Sequence, residues 1–273
     1  MQQIALVGGC PRSGTSALAK MLSCHPDVAI SHERFGGRAR SDDFGPADFV
    51  AERAREHREG DCAEAAFAHP TTRRALDKRD SATVVGDKLP YVSMLLDAAK
   101  KVAGCKVVAI IREPAGMAES FQERFRRKSD PFSHDFRASV RLFNEGMALL
   151  RDADPEADGY SLMVVEYHQA FTKPEVPKAI FKYLGVDPTV DDSYLSVQRE
   201  FIDMGLKVAA SGIRGHVART ADYAAYRATF ANGRCRWRQA NEHSRCIYDE
   251  RGRRSRRIFR NSGNGGGWVT KFP

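Results

Sequence analysis

The sequence predicts an α/β fold, a parallel β-sheet with helices on both of its faces. Three observations predict it. Short runs that are apolar almost throughout recur along the chain, IALVGG at 4–9, TVVG at 83–86, KVVAII at 106–111 and YSLMVVE at 160–166. Strands buried on both faces read this way, without polar alternation. Stretches of helical period separate these runs, the pattern of strands joined by crossover helices. The first run ends in glycines and enters a helix, the opening of a strand–loop–helix unit.

Each element follows from a local cause. Residues 4–9 form a buried strand, and Thr15 to Cys24 form a helix with Leu18, Met21 and Leu22 on one face. His25-Pro26 stops that helix, because a residue before proline is driven out of the helical region. Val28-Ala29-Ile30 is a second short strand, and residues 36–83, rich in charge, Ala and Gly, carry two expected helices at about 46–58 and 62–77, joined at Gly60. The strand at 83–86 ends in Asp87-Lys88-Leu89-Pro90 and leads to a helix at about 91–103. KVVAII is the strongest strand; it ends in Arg112-Glu113-Pro114, and a helix of about 115–127 follows. A long amphipathic helix at 134–151, the strand at 160–166 and a helix at 174–184 stopped by Gly185 complete the pattern, which fades beyond about residue 204. These elements predict one domain over 1–233 and a basic, poorly ordered tail over 234–273.

Composition narrows the class. With 273 residues, 42% hydrophobic and 29% charged, the chain is long enough for a large core and ordinary for a soluble globular protein. No run reaches the ~18 apolar residues of a membrane span, and the N-terminus offers no signal peptide, so the expectation is a cytoplasmic protein that binds no membrane. Cysteines 10, 24, 62, 105, 235 and 246 show no metal or disulfide spacing and read as reduced thiols. The formal charge of +8 resides wholly in residues 234–273, with ten Arg and one Lys against three acids. The chain is therefore a neutral domain with a basic appendage rather than a nucleic-acid-binding domain. A polyanion-binding reading would need that tail alone, and no nucleic-acid-binding signature supports it.

The loop GGCPRSGTS (8–16) carries the first chemistry. A strand that ends in glycines and feeds a helix aims free backbone N–H groups and the positive dipole end at one place. Such a place binds phosphate or sulfate. Gly9 and Gly14 keep the glycine spacing of a Walker loop, but Thr15 stands where the lysine belongs and Arg12 lies inside the loop. Ser13, Thr15 and Ser16 add hydroxyls, and Arg12 adds a planar cation suited to an oxyanion. A kinase or NTPase would also place an acid after a buried strand to hold Mg²⁺. KVVAII ends instead in Arg112, a cation at the carboxyl end of a parallel strand, where such sheets bind ligands. Ser120 and Arg124 follow eight and twelve residues later and share one helix face, so Arg112, Ser120 and Arg124 could clamp a second phosphate. Arg126, Arg127 and Lys128 read equally well as a solvated basic helix end.

The combination PRSGTS…HPDV…HE with IIREPAGMAESFQER resembles the sulfotransferases that use 3′-phosphoadenosine 5′-phosphosulfate (PAPS), and most closely the branch of tyrosylprotein sulfotransferases and bacterial homologues. The resemblance covers about 3–33 and 84–128, and extends weakly through 164–186. It implies a P-loop NTPase-like sulfotransferase fold and PAPS as donor, with no metal required. Pro11, Arg12, Ser13, Gly14, Thr15 and Ser16 would form the 5′-phosphosulfate loop, and Arg112, Ser120 and Arg124 the 3′-phosphate site. Arg12 would stabilise the leaving oxygen, which explains the absent lysine. Glu33 falls at the position of the catalytic base, with His32 as the second candidate, and Lys88 matches the lysine near the transferring sulfuryl group. Asp87 reads as a helix-capping residue.

The sequence departs from the family in two places. The loop that closes the nucleotide site has only poor counterparts in SGIRGHVART (211–220) and KVAASG, and the nucleotide-contacting tyrosine before the strand-end glutamate is replaced by Val165. The acceptor is expected to be a hydroxyl of a carbohydrate or small molecule. A protein-tyrosine acceptor is the alternative, and a P-loop kinase or NTPase a more distant one.

Overall fold

The computed structural model describes residues 2–127, 134–189, 192–205, 211–230 and three short strands beyond them. Five parallel strands form the sheet: β1 (Gln3–Gly9), β2 (Val28–His32), β3 (Val84–Lys88), β4 (Lys106–Ile111) and β5 (Ser161–Glu166). Their order across the sheet is β2-β3-β1-β4-β5, and β6 (Cys235–Arg238) adds antiparallel to the β5 edge. A pair of two-residue strands, β7 (Ile247–Tyr248) and β8 (Arg254–Ser255), follows; apart from β6, β7 and β8, the basic tail over 234–273 that the sequence predicts to be poorly ordered falls outside the described residues.

Helices cover both faces, as the uniformly apolar strands require. In chain order they are α1 (Thr15–Leu22), α2 (Ala51–Arg55), α3 (Glu64–Phe67), α4 (Pro70–Lys78), α5 (Val92–Lys101), α6 (Pro114–Phe125), α7 (Phe136–Asp152), α8 (Tyr167–Thr172), α9 (Glu175–Leu184), α10 (Asp192–Gly205), α11 (Ser211–Thr220) and α12 (Tyr223–Phe230). Alternate residues of one strand serve two cores. Val107, Ala109 and Ile111 pack with Leu95 of α5 and Phe143 of α7, whereas Val108 and Ile110 pack with Leu18 and Leu22 of α1 and Ile180 of α9. None of the helices among the described residues is long and apolar enough to cross a membrane.

The 36–83 region differs from expectation. Instead of two long helices it holds two short 3₁₀ turns, Arg38–Arg40 and Pro46–Phe49, and the short helices α2, α3 and α4. Val50 is extended (ψ 154°) and Glu56 leaves the helical region (ψ 117°), which confines α2 to one turn. Buried Arg34 supplies the reason, because its guanidinium donates to the carbonyls of Arg53, Ala54 and Glu56. Those carbonyls are the ones a helix C-terminus leaves without partners. Pro70 starts α4 and holds His69 extended (ψ 136°), so the second expected helix splits there. Beyond residue 204 the fading pattern conceals α11, whose Ile213 and Val217 are buried against Ala118 of α6 and Val140 of α7.

Candidate active site

Because the five strands are parallel, their carboxyl ends form one edge, and the sequence candidates assemble along it. From the β2 side to the β5 side stand Glu33, Lys88, the 10–14 loop, Arg112 and Tyr167.

The loop after β1 is held open by its backbone. Arg12 and Glu33 are the two non-glycine residues with positive φ among the described residues, at 67° and 55°. Such strain persists only where surrounding structure enforces it, and it gathers at functional sites. Ser13 is the enforcing residue in the loop. It is fully buried; its N–H donates to Cys10 O at 3.1 Å, and its Oγ accepts from Arg112 N at 3.3 Å and contacts Met117 Sδ at 3.2 Å. Its hydroxyl, expected to face a ligand, instead ties the loop to the end of β4. Gly14 at φ 87° precedes α1 and offers no capping side chain, and the first N–H to bond back within this turn is that of Leu18, to Gly14 O. The N–H groups at the start of α1 thus lie at the head of the loop.

A cavity of about 310 Å³ opens there. Arg12, Thr15, Ser16, Arg112, Ser120 and Tyr167 line it, with Gly14, Ala17, Gly116, Glu123 and Arg127 completing the wall. Arg12 Nε donates to Ser120 Oγ at 3.0 Å, joining the two motifs across 108 residues. Partial burial and the neighbouring cations of Arg124, Arg112 and Arg127 push the Arg12 guanidinium below its ordinary value, with Glu123 opposing. So many cations around one cavity give it a positive potential, which attracts a multiply charged anion. Arg124 does not line the wall, but it is the strongest electrostatic influence on Arg12. Pro11 is half-buried in the same loop and does not line the wall.

On the β2–β3 side, Lys88 Nζ donates to Glu33 Oε1, and Glu33 N donates to Lys88 O at 3.0 Å. Lys88 is buried to 2% exposure, whereas Glu33 keeps 35%, so the carboxylate is the member open to a substrate. His32 Nε2 lies 4.0 Å from Glu33 Oε1, and its ring stacks on His69 with centroids 3.9 Å apart. Burial, the Lys88 ammonium and His69 push His32 down to about 3. Asp87 does not cap a helix. Its carboxylate accepts from Arg34 N at 3.0 Å and Phe35 N at 2.8 Å, so it fixes the turn that carries Glu33. Burial pushes its carboxyl up to about 7 although those N–H groups favour the anion.

A family model described as the sulfotransferase family matches residues 5–192 of the chain. The chain belongs to the sulfotransferase family. As the motif resemblance implied, this is the P-loop-like family of PAPS-dependent enzymes, and the parallel sheet described above is its fold. Among solved structures it is similar to a sulfotransferase from Alicyclobacillus acidocaldarius, at 18% identity over 85% of this chain and 96% of that one (TM-score 0.47). It is also similar to the sulfotransferase domain of the curacin biosynthetic pathway, at 15% identity over 80% and 97% (TM-score 0.43). A mouse sulfotransferase complexed with PAP (adenosine 3′,5′-bisphosphate) matches at 18% identity over 77% and 69% (TM-score 0.41). No curated protein matches the sequence.

Two residues of the sulfotransferase's cavity escaped sequence reasoning. Tyr167 follows Glu166, two residues beyond position 165 where the tyrosine is expected, while Val165 is buried in the core. Its ring lies 4.6 Å from the Arg112 guanidinium and so supports that cation from beneath. Arg127 lies on the cavity wall and pairs with Glu123 at 2.8 Å. The signal was present, because 116, 120, 123 and 127 continue one helical stripe. The segment 211–220, a candidate lid, is α11 and packs on α6; residues 206–210 lie outside the described residues.

Gly14→Ala tests the loop. A Cβ there would stand 2.4 Å from Tyr167 Cε2, on a backbone at φ 87° that side chains rarely adopt. Displacing Tyr167 should weaken PAP binding at least about tenfold, read by calorimetry, while thermal stability falls by only about 1–2 kcal/mol.

Proposed function

We propose that this sulfotransferase moves a sulfuryl group from PAPS to a hydroxyl of a carbohydrate or small molecule, and that it needs no metal to do so. The observation that carries this reading is the cavity where Arg12, Arg112 and Ser120 meet, with the start of α1 at its head. The arginine cluster supplies the charge compensation that a Mg²⁺-dependent site draws from its ion. In this reading Arg12, Gly14, Thr15 and Ser16 receive the 5′-phosphosulfate, and Arg112, Ser120 and Arg124 the 3′-phosphate, with Pro11 and Ser13 shaping the loop.

Glu33 is the base. The acceptor oxygen attacks sulfur and its proton passes to Glu33. The sulfur–oxygen bond to the 5′-phosphate breaks, leaving PAP, with Arg12 and Lys88 stabilising the developing charge. His32 is the less accessible candidate, its side chain 15% exposed against 35% for Glu33 and its ring covered by His69. A protein-tyrosine acceptor remains the competing outcome of an acceptor panel. The described cysteines Cys10, Cys24, Cys62 and Cys105 are all free thiols, in keeping with a cytoplasmic enzyme. We take 1–233 as the catalytic domain, to which 235–238 adds an edge strand, and the rest of 234–273 as an appendage.

Calorimetric titration with PAP, with and without Mg²⁺ and beside ATP, tests the donor. Binding should be independent of the metal and should weaken by about 10²-fold in Arg112→Ala, the loss of about 1.5–3 kcal/mol expected for a charge-assisted contact. A preference for ATP with Mg²⁺ would return the chain to the kinase reading.

A further inference from the structure

We propose that Tyr223 and Tyr226 of α12 are positioning residues of the donor site, acting through the carboxylates that cap α6 and α8. The proposal rests on the reading of Arg112 as the 3′-phosphate ligand. Two braces reach that arginine from opposite sides.

In the first, Glu113 immediately follows Arg112 and caps α6. Its Oε2 accepts from Gly116 N at 2.9 Å, and its Oε1 accepts the Tyr223 hydroxyl. Both oxygens are engaged, so the carboxylate cannot rotate, and the turn that presents Arg112 is fixed. Gly116 belongs to the same device: a Cβ there would stand 2.9 Å from Arg112 Nε, so the arginine lies flat over this turn.

In the second, Glu166 immediately precedes Tyr167 and caps α8. Its carboxylate accepts from His168 N at 3.0 Å and Gln169 N at 2.8 Å, and Oε1 also accepts the Tyr226 hydroxyl at 3.3 Å. Tyr167 is the residue whose ring supports the Arg112 guanidinium. Both braces therefore converge on one cation.

The tyrosines are themselves well placed. Asn144 of α7 holds the α11–α12 turn at both ends, donating to Thr220 O and accepting from Asp222 N, each at 2.8 Å. The Tyr226 ring packs against Phe143 and Phe230. A segment that lacks the look of a nucleotide lid thus serves the site from behind. Without the Tyr223 hydroxyl, the Glu113 carboxylate is free to turn onto the adjacent Arg112 and compete with the phosphate.

The test compares PAP with adenosine 5′-monophosphate, which lacks the 3′-phosphate. Both are titrated calorimetrically into the full chain and into Tyr223→Phe, Tyr226→Phe and the double variant. Phenylalanine keeps the ring packing and removes only the hydroxyls. The double variant should lose about 5–10-fold in PAP affinity, as two modest hydrogen bonds allow, and at most about twofold in 5′-monophosphate affinity. A purely structural role lowers the melting temperature and moves both ligands alike. An unchanged affinity ratio in folded variants overturns the proposal, and the single variants decide by the same ratio if the double one does not fold. A wild-type chain that does not prefer PAP to the 5′-monophosphate overturns the donor reading itself, a result visible before any variant is compared.

Discussion

Glu33→Gln should lower kcat by about a thousandfold while leaving the affinity for PAP within about threefold. The split follows from where Glu33 stands. It lies beyond β2, separated by β3 and β1 from the strand that leads to Arg112, and it does not line the arginine-lined cavity. Glutamine keeps the size and an acceptor oxygen for Lys88 Nζ, so the dyad's geometry survives and only the ability to take a proton is lost. Initial rates with ³⁵S-labelled donor and an acceptor panel, beside PAP calorimetry, give both numbers. Full turnover in the variant would transfer the role of base to another group. Loss of PAP binding together with turnover would mean that Glu33 shapes the donor site and has been misassigned. The backbone sharpens this prediction. Positive φ at Glu33 is costly for a residue with a side chain, and buried Asp87 holds it by engaging the next two N–H groups.

The strands of this enzyme were legible because they are buried on both sides and therefore apolar throughout, and the β1 loop because glycine and arginine spacing is local. The link between Arg12 and Ser120 followed from two motifs whose meeting place is set by adjacent strands β1 and β4. What was not legible depends on distant partners. Helix propensity over 46–58 was real, but Arg34 claims the carbonyls of 53, 54 and 56 and ends the helix early. The apolar stripe of α11 amounts to Ile213 and Val217, too little to stand out from a polar background. Tyr167 was sought on the wrong side of Glu166, because alternation along a strand decides which neighbour reaches the cavity, and past its end the first helical residue does so instead. Nothing near Asp61 in sequence announces that it is the hub of an ion network.

That network carries the largest expected effect on stability. Asp61→Ala should cost about 3–5 kcal/mol, a substantial share of the roughly 5–15 kcal/mol that holds a domain folded. Asp61 is 1% exposed and accepts from Arg34 Nη1 at 2.9 Å, Arg53 Nη1 at 2.8 Å and Arg58 N at 2.9 Å, with Arg53 Nη2 on its other oxygen. Arg34 is fully buried, its guanidinium 4.6 Å from the Phe35 ring centroid and 4.9 Å from that of Phe67. Removing the carboxylate strands that charge among aromatic rings, and the penalty for an uncompensated buried cation exceeds the value of the pair itself. Arg53 suffers less, since Asp48 lies 3.5 Å from its Nε. A double variant, Asp61→Leu with Arg34→Met, should therefore lose less than the sum of its single changes. Urea unfolding of the set measures this directly, and an additive double variant would show that the two charges do not depend on each other. The pH dependence gives an independent reading. Burial works against the Asp61 anion, but Arg53, the Arg58 N–H and Arg34 together hold its carboxyl below the ordinary value of 3.8. A folded-state value below the unfolded one contributes stability that is present above about pH 4 and disappears as pH falls through the folded value. The acid side of the stability profile should thus be steeper in the wild type than in Asp61→Ala. Because the same network fixes the turns beside Glu33, the surviving fraction of the variant should also show its deficit in acceptor KM before any in PAP affinity.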